Sequence, residues 1–357
     1  MRASVVVIGG GAIGASVAFH LAEAGVEDVV LLERGALGSG STSRAAGGIR
    51  TQFGDELNVE IARRSLEAYR AFGERPGAEI DFRQDGYLFL LEEPAALPGT
   101  ELLSPEEAAE LCPLLRTDGL IGAAYAADGA RATPDAVVQG YAAGARRHGA
   151  QVLTGCEVVG IEPGVVQTTR GRIETEAVVC AAGAWSASCA ALAGVELPVT
   201  PVRTQVLLTD AIAGAPPHMP LTVYLARRYY LHPEGPGLLV GFTEPHEPAG
   251  FDQVETDAWA EGLMAAAARR TPAICECGMR GGWSGWMENT PDHNALIGAD
   301  GDFFYATGFS GHGFMQAPAV GELVRDLVLG AEPFADVAPL AAERFALGQA
   351  RPERTVV

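Results

Sequence analysis

Gly9, Gly11 and Gly14 stand in the spacing GxGxxG, with Glu33 about twenty residues further on, and together these residue types suit the binding of a dinucleotide. Gly9 makes a tight turn, Gly11 lets a pyrophosphate approach the backbone, and Gly14 lets a helix lie close on a strand. Glu33 offers a carboxylate to the hydroxyls of an adenosine ribose. A second glycine-rich run, Gly308-Phe309-Ser310-Gly311-His312-Gly313, precedes an apolar helical pattern. A helix starting there presents free N–H groups and a positive dipole end, suited to an anion other than the phosphates of the first turn. One chemistry is excluded. The chain contains no lysine, so its 25 cationic side chains are all arginines and Schiff-base or lysine-base catalysis is ruled out.

These residues need elements to hold them. Val5-Val6-Val7-Ile8 reads as a strand, Ile13, Val17 and Leu21 as one face of a helix closed by Gly25, and Val29-Val30-Leu31-Leu32 as a second strand ending at Glu33. That is a βαβ unit. Residues 38–50 are small and hydroxyl-bearing, with Arg44 and Arg50 among them, and build no core. Their donors suit the pyrophosphate and ribityl chain of a long dinucleotide, whereas a nicotinamide fold passes directly into its next helix. Further along, the pattern predicts a helix over 55–72 with Val59, Ala62, Leu66 and Tyr69 on one face. An alternating strand is expected over 80–91, and Ser104-Pro105-Glu106-Glu107 is a capping box. Thr133-Pro134 starts a helix ending near Gly149. Strands are expected over 152–161 and 177–180, the second entering Ala181-Ala182-Gly183-Ala184-Trp185, whose small residues permit a nucleotide's approach. Residues 197–282 read as strand-rich, with a hairpin of 228–233 and 238–242, and as the sheet that carries the substrate. A strand over 303–306 and a helix over 314–329 complete the pattern.

At 357 residues and 48% apolar, the chain can bury the core of two domains or one large α/β domain. No apolar run reaches the length of a membrane span, and a net charge of −20 opposes nucleic acid and anionic membrane surfaces. The protein is read as cytoplasmic. Its six cysteines are scattered, and Cys275 and Cys277 have no second pair or histidine cluster to complete a metal site, so buried free thiols are expected and no metal.

The glycine fingerprint with Glu33, residues 39–50, the run Val178-Val179-Cys180-Ala181-Ala182-Gly183-Ala184-Trp185, Thr290-Pro291-Asp292 and 308–314 together resemble the FAD-dependent D-amino-acid-oxidase superfamily. Within it, the likeness is to glycine oxidase, sarcosine oxidase and proline dehydrogenase flavoprotein subunits. The resemblance spans essentially the whole chain. It implies an α/β fold in which an FAD-binding Rossmann-like domain of glutathione-reductase type is interleaved with an α+β substrate domain on a mostly antiparallel sheet. Residues 1–79, 135–198 and 283–357 would form the first, and 80–134 and 199–282 the second. The implied cofactor contacts are Gly9, Gly11, Ala12, Ile13, Gly14, Glu33, Arg34, Ser41, Thr42, Ser43, Arg44 and Gly48 on the N-terminal side. Val158, Ala182, Gly183 and Trp185 would line the middle, and Gly311, His312, Gly313, Phe314 and Met315 the flavin end.

The implied reaction is oxidation of a carbon-nitrogen bond in a small amine or amino acid to an imine, with hydride passing to flavin N5 and then to O2 or another acceptor. By the resemblance Arg50 grips a substrate carboxylate, Tyr230 stands over the substrate, and His312 lies under the flavin, contributing through its backbone. Gly285 stands where a relative carries the cysteine that bonds the flavin, so FAD is expected to be noncovalent. Met287 and Met315 replace an arginine and a lysine that hold the carboxylate in relatives, which makes the pocket more apolar and suits a bulkier amine. Two other readings stay open: a 2-hydroxy-acid dehydrogenase on the same fold, and an FAD-carrying subunit that needs a partner.

Overall fold

The computed structural model describes residues 1–244, 248–251 and 257–353. The βαβ unit forms as expected: β1 (Arg2–Ile8), α1 (Ala12–Glu23) and β2 (Val29–Leu32), with Gly25 in the left-handed region at φ +87° just past the helix. A short helical turn (Thr42–Arg44) and β3 (Gly48–Ile49) lead to α2 (Glu56–Arg70), which Asp55 caps by accepting from the Leu57 amide. The buried face of α2 is Asn58, Ile61, Ala62, Ser65, Leu66 and Tyr69, so the stripe is turned from the expected one and Val59 is only half-buried. Polar Asn58 and Ser65 are inside because they bond to partners there: Asn58 donates to Asn294, and Ser65 to the Gln316 carbonyl.

The next segment builds β4 (Tyr87–Leu91), β5 (Glu101–Leu103), α3 (Pro105–Leu111) with the expected capping box, and β6 (Gly122–Ala126). β4 is shorter than the predicted strand and buried on both faces, so its residues do not alternate in exposure. After β7 (Ala130–Arg131) and α4 (Pro134–Arg147) come β8 (Gln151–Leu153), β9 (Val158–Glu162), β10 (Val165–Thr168), β11 (Gly171–Cys180) and α5 (Ser186–Ala191). The single strand expected over 152–161 is thus two, broken at Gly155, whose φ of +59° no strand residue adopts.

β12 (Thr200–Thr209), β13 (Leu221–Tyr224), the hairpin β14 (Tyr229–Glu234) and β15 (Gly237–Phe242), α6 (Asp257–Arg270) and β16 (Met279–Asn289) follow. The sequence reading missed α6. It is alanine-rich, so no strong polar and apolar faces mark it. The chain then runs through β17 (Leu296–Asp300), β18 (Phe303–Thr307) and α7 (Gly313–Leu329).

Two large sheets result. In the first, the order β17-β18-β11-β1-β2-β8 is parallel from β18 to β8, with β17 antiparallel at one edge and β9 and β10 attached through β11. The second, β16-β12-β15-β14-β13-β4-β6-β5, is antiparallel except where β13 meets β4. The architecture is the Rossmann-like domain interleaved with a mostly antiparallel one. β16 hydrogen-bonds to β12, so residues 283–289 lie in the second sheet rather than with the cofactor part; residues 245–247, 252–256 and 354–357 of the expected spans lie outside the described residues. α1 is buried on every side, against the first sheet, α4 and α7. All six cysteines are free, but Cys275 is exposed and Cys277 half-buried, which corrects the expectation that all are buried. Among the described residues no helix is long and apolar enough to cross a membrane.

The final residues tie the two ends of the fold together. Arg344 makes a two-pronged pair with Asp292 at 2.8 Å on both prongs, both side chains almost wholly buried. Glu353 accepts from the Gly54 and Asp55 amides and from Asn58 at the start of α2. Thr290-Pro291-Asp292 is therefore the anchor of this clasp. Arg344→Met should leave a buried unpaired carboxylate and lower stability by about 3–5 kcal/mol, to be measured by urea unfolding.

Candidate functional site

A cavity of about 900 Å³ runs between the two sheets, from the turn after β1 to the start of α7. Close packing builds its first end. A Cβ on Gly9 would lie 2.2 Å from the Ala181 carbonyl oxygen, and one on Gly14 only 1.9 Å from the Gly9 carbonyl oxygen. Gly9 also sits at φ +114°. Helix, turn and strand meet here with no room for a side chain, which leaves the start of α1 at the cavity edge, with Gly11, Ala12 and Ile13 lining it.

Glu33 directly follows β2 and accepts from the Gly10 amide at 2.8 Å and the Gly35 amide at 2.7 Å. Its carboxylate therefore braces the glycine turn as well as lining the cavity. Thr42, from the segment after β2, accepts from the Ala12 amide at 3.1 Å and so caps α1 from outside the helix. Ser41 also lines the wall, and its hydroxyl is buried with no hydrogen-bond partner among the described residues.

The middle of the cavity takes Val158 from β9 and Ala182, Gly183 and Trp185 from the turn after β11. Arg34 lies over the Trp185 ring, 4.2 Å from its centroid. Arg44 donates to the Ser284 carbonyl at 3.2 Å and accepts from the Trp283 indole at 2.9 Å, strapping the hydroxyl-rich segment to β16. Gly285 faces that strap: a Cβ there would lie 2.6 Å from the Arg44 Cβ. Two expected contacts fall off the wall. Gly14 is used up in helix-strand packing, and Ser43 sits behind the wall with its amide bonded to the Gly38 carbonyl.

At the far end Gly311, His312, Gly313, Phe314 and Met315 line the cavity where α7 begins. Arg50 is buried, donates to the Gln52 carbonyl, lies 3.4 Å from His312 Nε2, and stacks over Phe53 at 4.5 Å. Burial lowers its pKa, and Tyr87 and Glu353 oppose that, so a guanidinium retains its charge in this wall. Tyr230 on β14 lies over Gly241 of β15, where a Cβ would be 2.0 Å from its ring. Burial raises the Tyr230 phenol to about 12, which keeps it a neutral donor. Met287 reaches from β16 to Gly311, and Trp286, Leu221 and Val223 add apolar wall.

Among the lining residues that the sequence pattern does not single out, two carry ionisable groups at the far end of the cavity, Tyr87 and Glu288. Tyr87 falls in the strand expected over 80–91, and its hydroxyl sits against Gly48 on the cavity wall, with burial raising its pKa against the opposing Arg50 charge. Glu288 follows two cavity residues on β16. It accepts from Thr307 Oγ1 at 3.1 Å and the Phe309 amide at 3.5 Å, and burial lifts its carboxyl to about 7 against those hydrogen bonds. An acid directly after Trp286-Met287 was the signal that could have exposed it.

The cavity fits a long dinucleotide. Two helix N-termini stand at its two ends, the buried Ser41 hydroxyl awaits a partner, and its volume is near the top of the usual range for ligand pockets.

The model of the family described as FAD dependent oxidoreductase, or DAO, matches residues 4–327. Mitochondrial dimethylglycine dehydrogenase of Mus musculus is 29% identical over 96% of this chain and 44% of that protein. Glycine oxidase of Geobacillus kaustophilus is 32% identical over 96% of this chain and 97% of its own. The crystal structure of L-proline dehydrogenase from P. horikoshii matches with a TM-score of 0.91 and 33% identity, over 98% of this chain and 99% of that one. The chain spans less than half the length of the mitochondrial dehydrogenases it matches. Gly14→Ala should force α1 off β1, costing about 1–3 kcal/mol, and the purified variant should lose most of its 1:1 flavin absorbance.

Proposed function

Since the chain belongs to the DAO family of FAD-dependent oxidoreductases, we propose that it oxidises the C–N bond of an amine or amino acid to the imine. The observation that carries this reading is the far end of the cavity, where one buried guanidinium, Arg50, and two phenols, Tyr87 and Tyr230, stand among apolar residues beside the start of α7. Names of the relatives support it: they include dehydrogenases of dimethylglycine, sarcosine and proline and an oxidase of glycine.

Bound FAD supplies a two-electron acceptor, so the chain needs to furnish position, charge and dryness rather than a base. Arg50 receives the carboxylate of an amino acid, and burial strengthens that pairing. Tyr230 and Tyr87 stay protonated and donate to the substrate without accepting a proton from it. Met287, Trp286, Leu221 and Val223 keep water from the reacting carbon and leave room for a bulky apolar substituent. The first-turn amides of α7, at Gly313, Phe314 and Met315, line the cavity and would offer N–H groups and a positive dipole end to anionic charge on the bound cofactor. His312 acts through its place at the head of this turn and its contact with Arg50.

The cofactor is held noncovalently, since Gly285 offers no nucleophile and is covered by Arg44. Six free thiols accord with work in the reducing cytoplasm.

Acid precipitation should release all the flavin to the supernatant; colour remaining in the pellet would refute noncovalent binding. Anaerobic titration of the holoprotein with a panel of amines, amino acids and hydroxy acids should bleach the flavin with amines or amino acids. Bleaching by hydroxy acids alone would overturn the reading, and bleaching that needs an added protein would make the chain a subunit. Arg50→Met should lower kcat/KM for carboxylate-bearing substrates about a hundredfold, or about 3 kcal/mol, and spare neutral amines. An equal loss for both classes would remove Arg50 from the substrate site.

A further inference from the structure

Glu288 is a carboxylic acid set into the wall of the cofactor cavity, and nothing in the amine reading uses it. Its position is built from four elements. β16 carries it, the neighbouring residues Trp286 and Met287 line the same cavity, and its carboxyl leans on β18, on the turn after β11 at Gly183 and on the turn before α7 at Phe309. From the turn before α7 it takes the Phe309 amide, and from β18 the Thr307 hydroxyl, which in turn contacts Ser186 of α5 at 2.7 Å. On the other side, a Cβ on Gly183 would be 3.4 Å from Oε2, so the carboxyl fills the space which that glycine leaves. It is pinned.

Both glycine turns face the cofactor, so a group wedged between them lies where a loaded cavity excludes water. The charged and titratable groups on the surrounding elements are Arg203 on β12, Arg44 on the 42–44 turn, Cys180 at the end of β11, Cys189 on α5, Tyr305 on β18 and His312 heading α7. The charge of the Glu288 carboxyl is felt at Cys180. Filling the cavity with a dinucleotide removes water from this carboxyl, which penalises a carboxylate here and favours the neutral acid.

We propose that Glu288 binds the cofactor as a neutral acid, its O–H turned into the cavity, so that loading FAD takes up one proton from solvent at this carboxyl. The balance is simple: carboxylate plus one proton gives the acid, with no electron transferred. The inference rests on the family's cofactor and not on the identity of the substrate. In the free protein burial already lifts the pKa of this carboxyl to about 7, against its hydrogen bonds from Thr307 and Phe309. Below that pH the acid is already formed and affinity is level. Above it, each unit of pH removes the proton that the bound form requires, so affinity falls, up to tenfold per unit.

The test uses the full chain with its flavin removed and FAD as probe, followed by fluorescence quenching from pH 6 to 9 and by calorimetry in two buffers of different ionisation heat. The wild type should show a dissociation constant that rises about tenfold between pH 7.5 and 8.5, with close to one proton taken up at pH 8. Glu288→Gln keeps the neutral shape and should bind at pH 8.5 as the wild type does at pH 6, with no slope. Cys180→Ser should keep the wild-type slope. Uptake below about half a proton by the wild type overturns the proposal whatever the variants do. So does a Glu288→Gln slope equal to the wild type's, or a slope that vanishes in Cys180→Ser.

Discussion

The contact between the Gly9 carbonyl and the place where Gly14 has no side chain is the constraint on which the molecule depends. A methyl group at residue 14 would stand 1.9 Å from that oxygen, well inside contact distance, so α1 and β1 approach as no other residue pair would permit. This closeness aims the first turn of α1 at the cavity. Glu33 then fixes the loop from the other strand by holding the Gly10 amide. A carboxylate that sequence spacing assigns to a ribose thus has a second duty to its own backbone. The two duties are compatible because a carboxylate has several lone-pair directions and the glycine loop uses only some of them.

The parts of the fold legible in the sequence are those where local chemistry and tertiary position agree. Val5 to Ile8, the glycines and Val29 to Leu32 gave the βαβ unit because a buried parallel strand needs a continuous apolar run and the turn needs glycine. Ser104 and Glu107 fixed α3 because their side chains satisfy each other's backbone. α6 was hidden because alanine-rich residues lack a polar face to set against an apolar one. The rotated stripe on α2 was hidden for another reason: Asn58 and Ser65 look like surface residues until their partners Asn294 and Gln316, far along the chain, come into view.

The site divides in the same way. Residues that line the cavity through the backbone, such as Gly11, Gly183 and Gly313, are legible because their type is demanded by close approach. Tyr87 and Glu288 were not, since each sits on a strand whose other residues read as packing, and only sheet pairing decides which face meets the cavity. Arg50 shows the converse. Its place in the chain suggested a grip on a carboxylate, and the fold adds Gln52, His312 and Phe53 around it, so the guanidinium is oriented before any ligand arrives.

The cavity draws its walls from Gly9 at one extreme of the chain and Met315 at the other, with the clasp of Asp292 and Arg344 behind them. A ribosome releases these parts in order, and the strand-turn-helix unit emerges long before the residues that must face it. Throughout that interval the nascent chain has half a nucleotide cradle and nothing to close it. Flavin capture therefore waits until the residues up to Met315 have met the first turn.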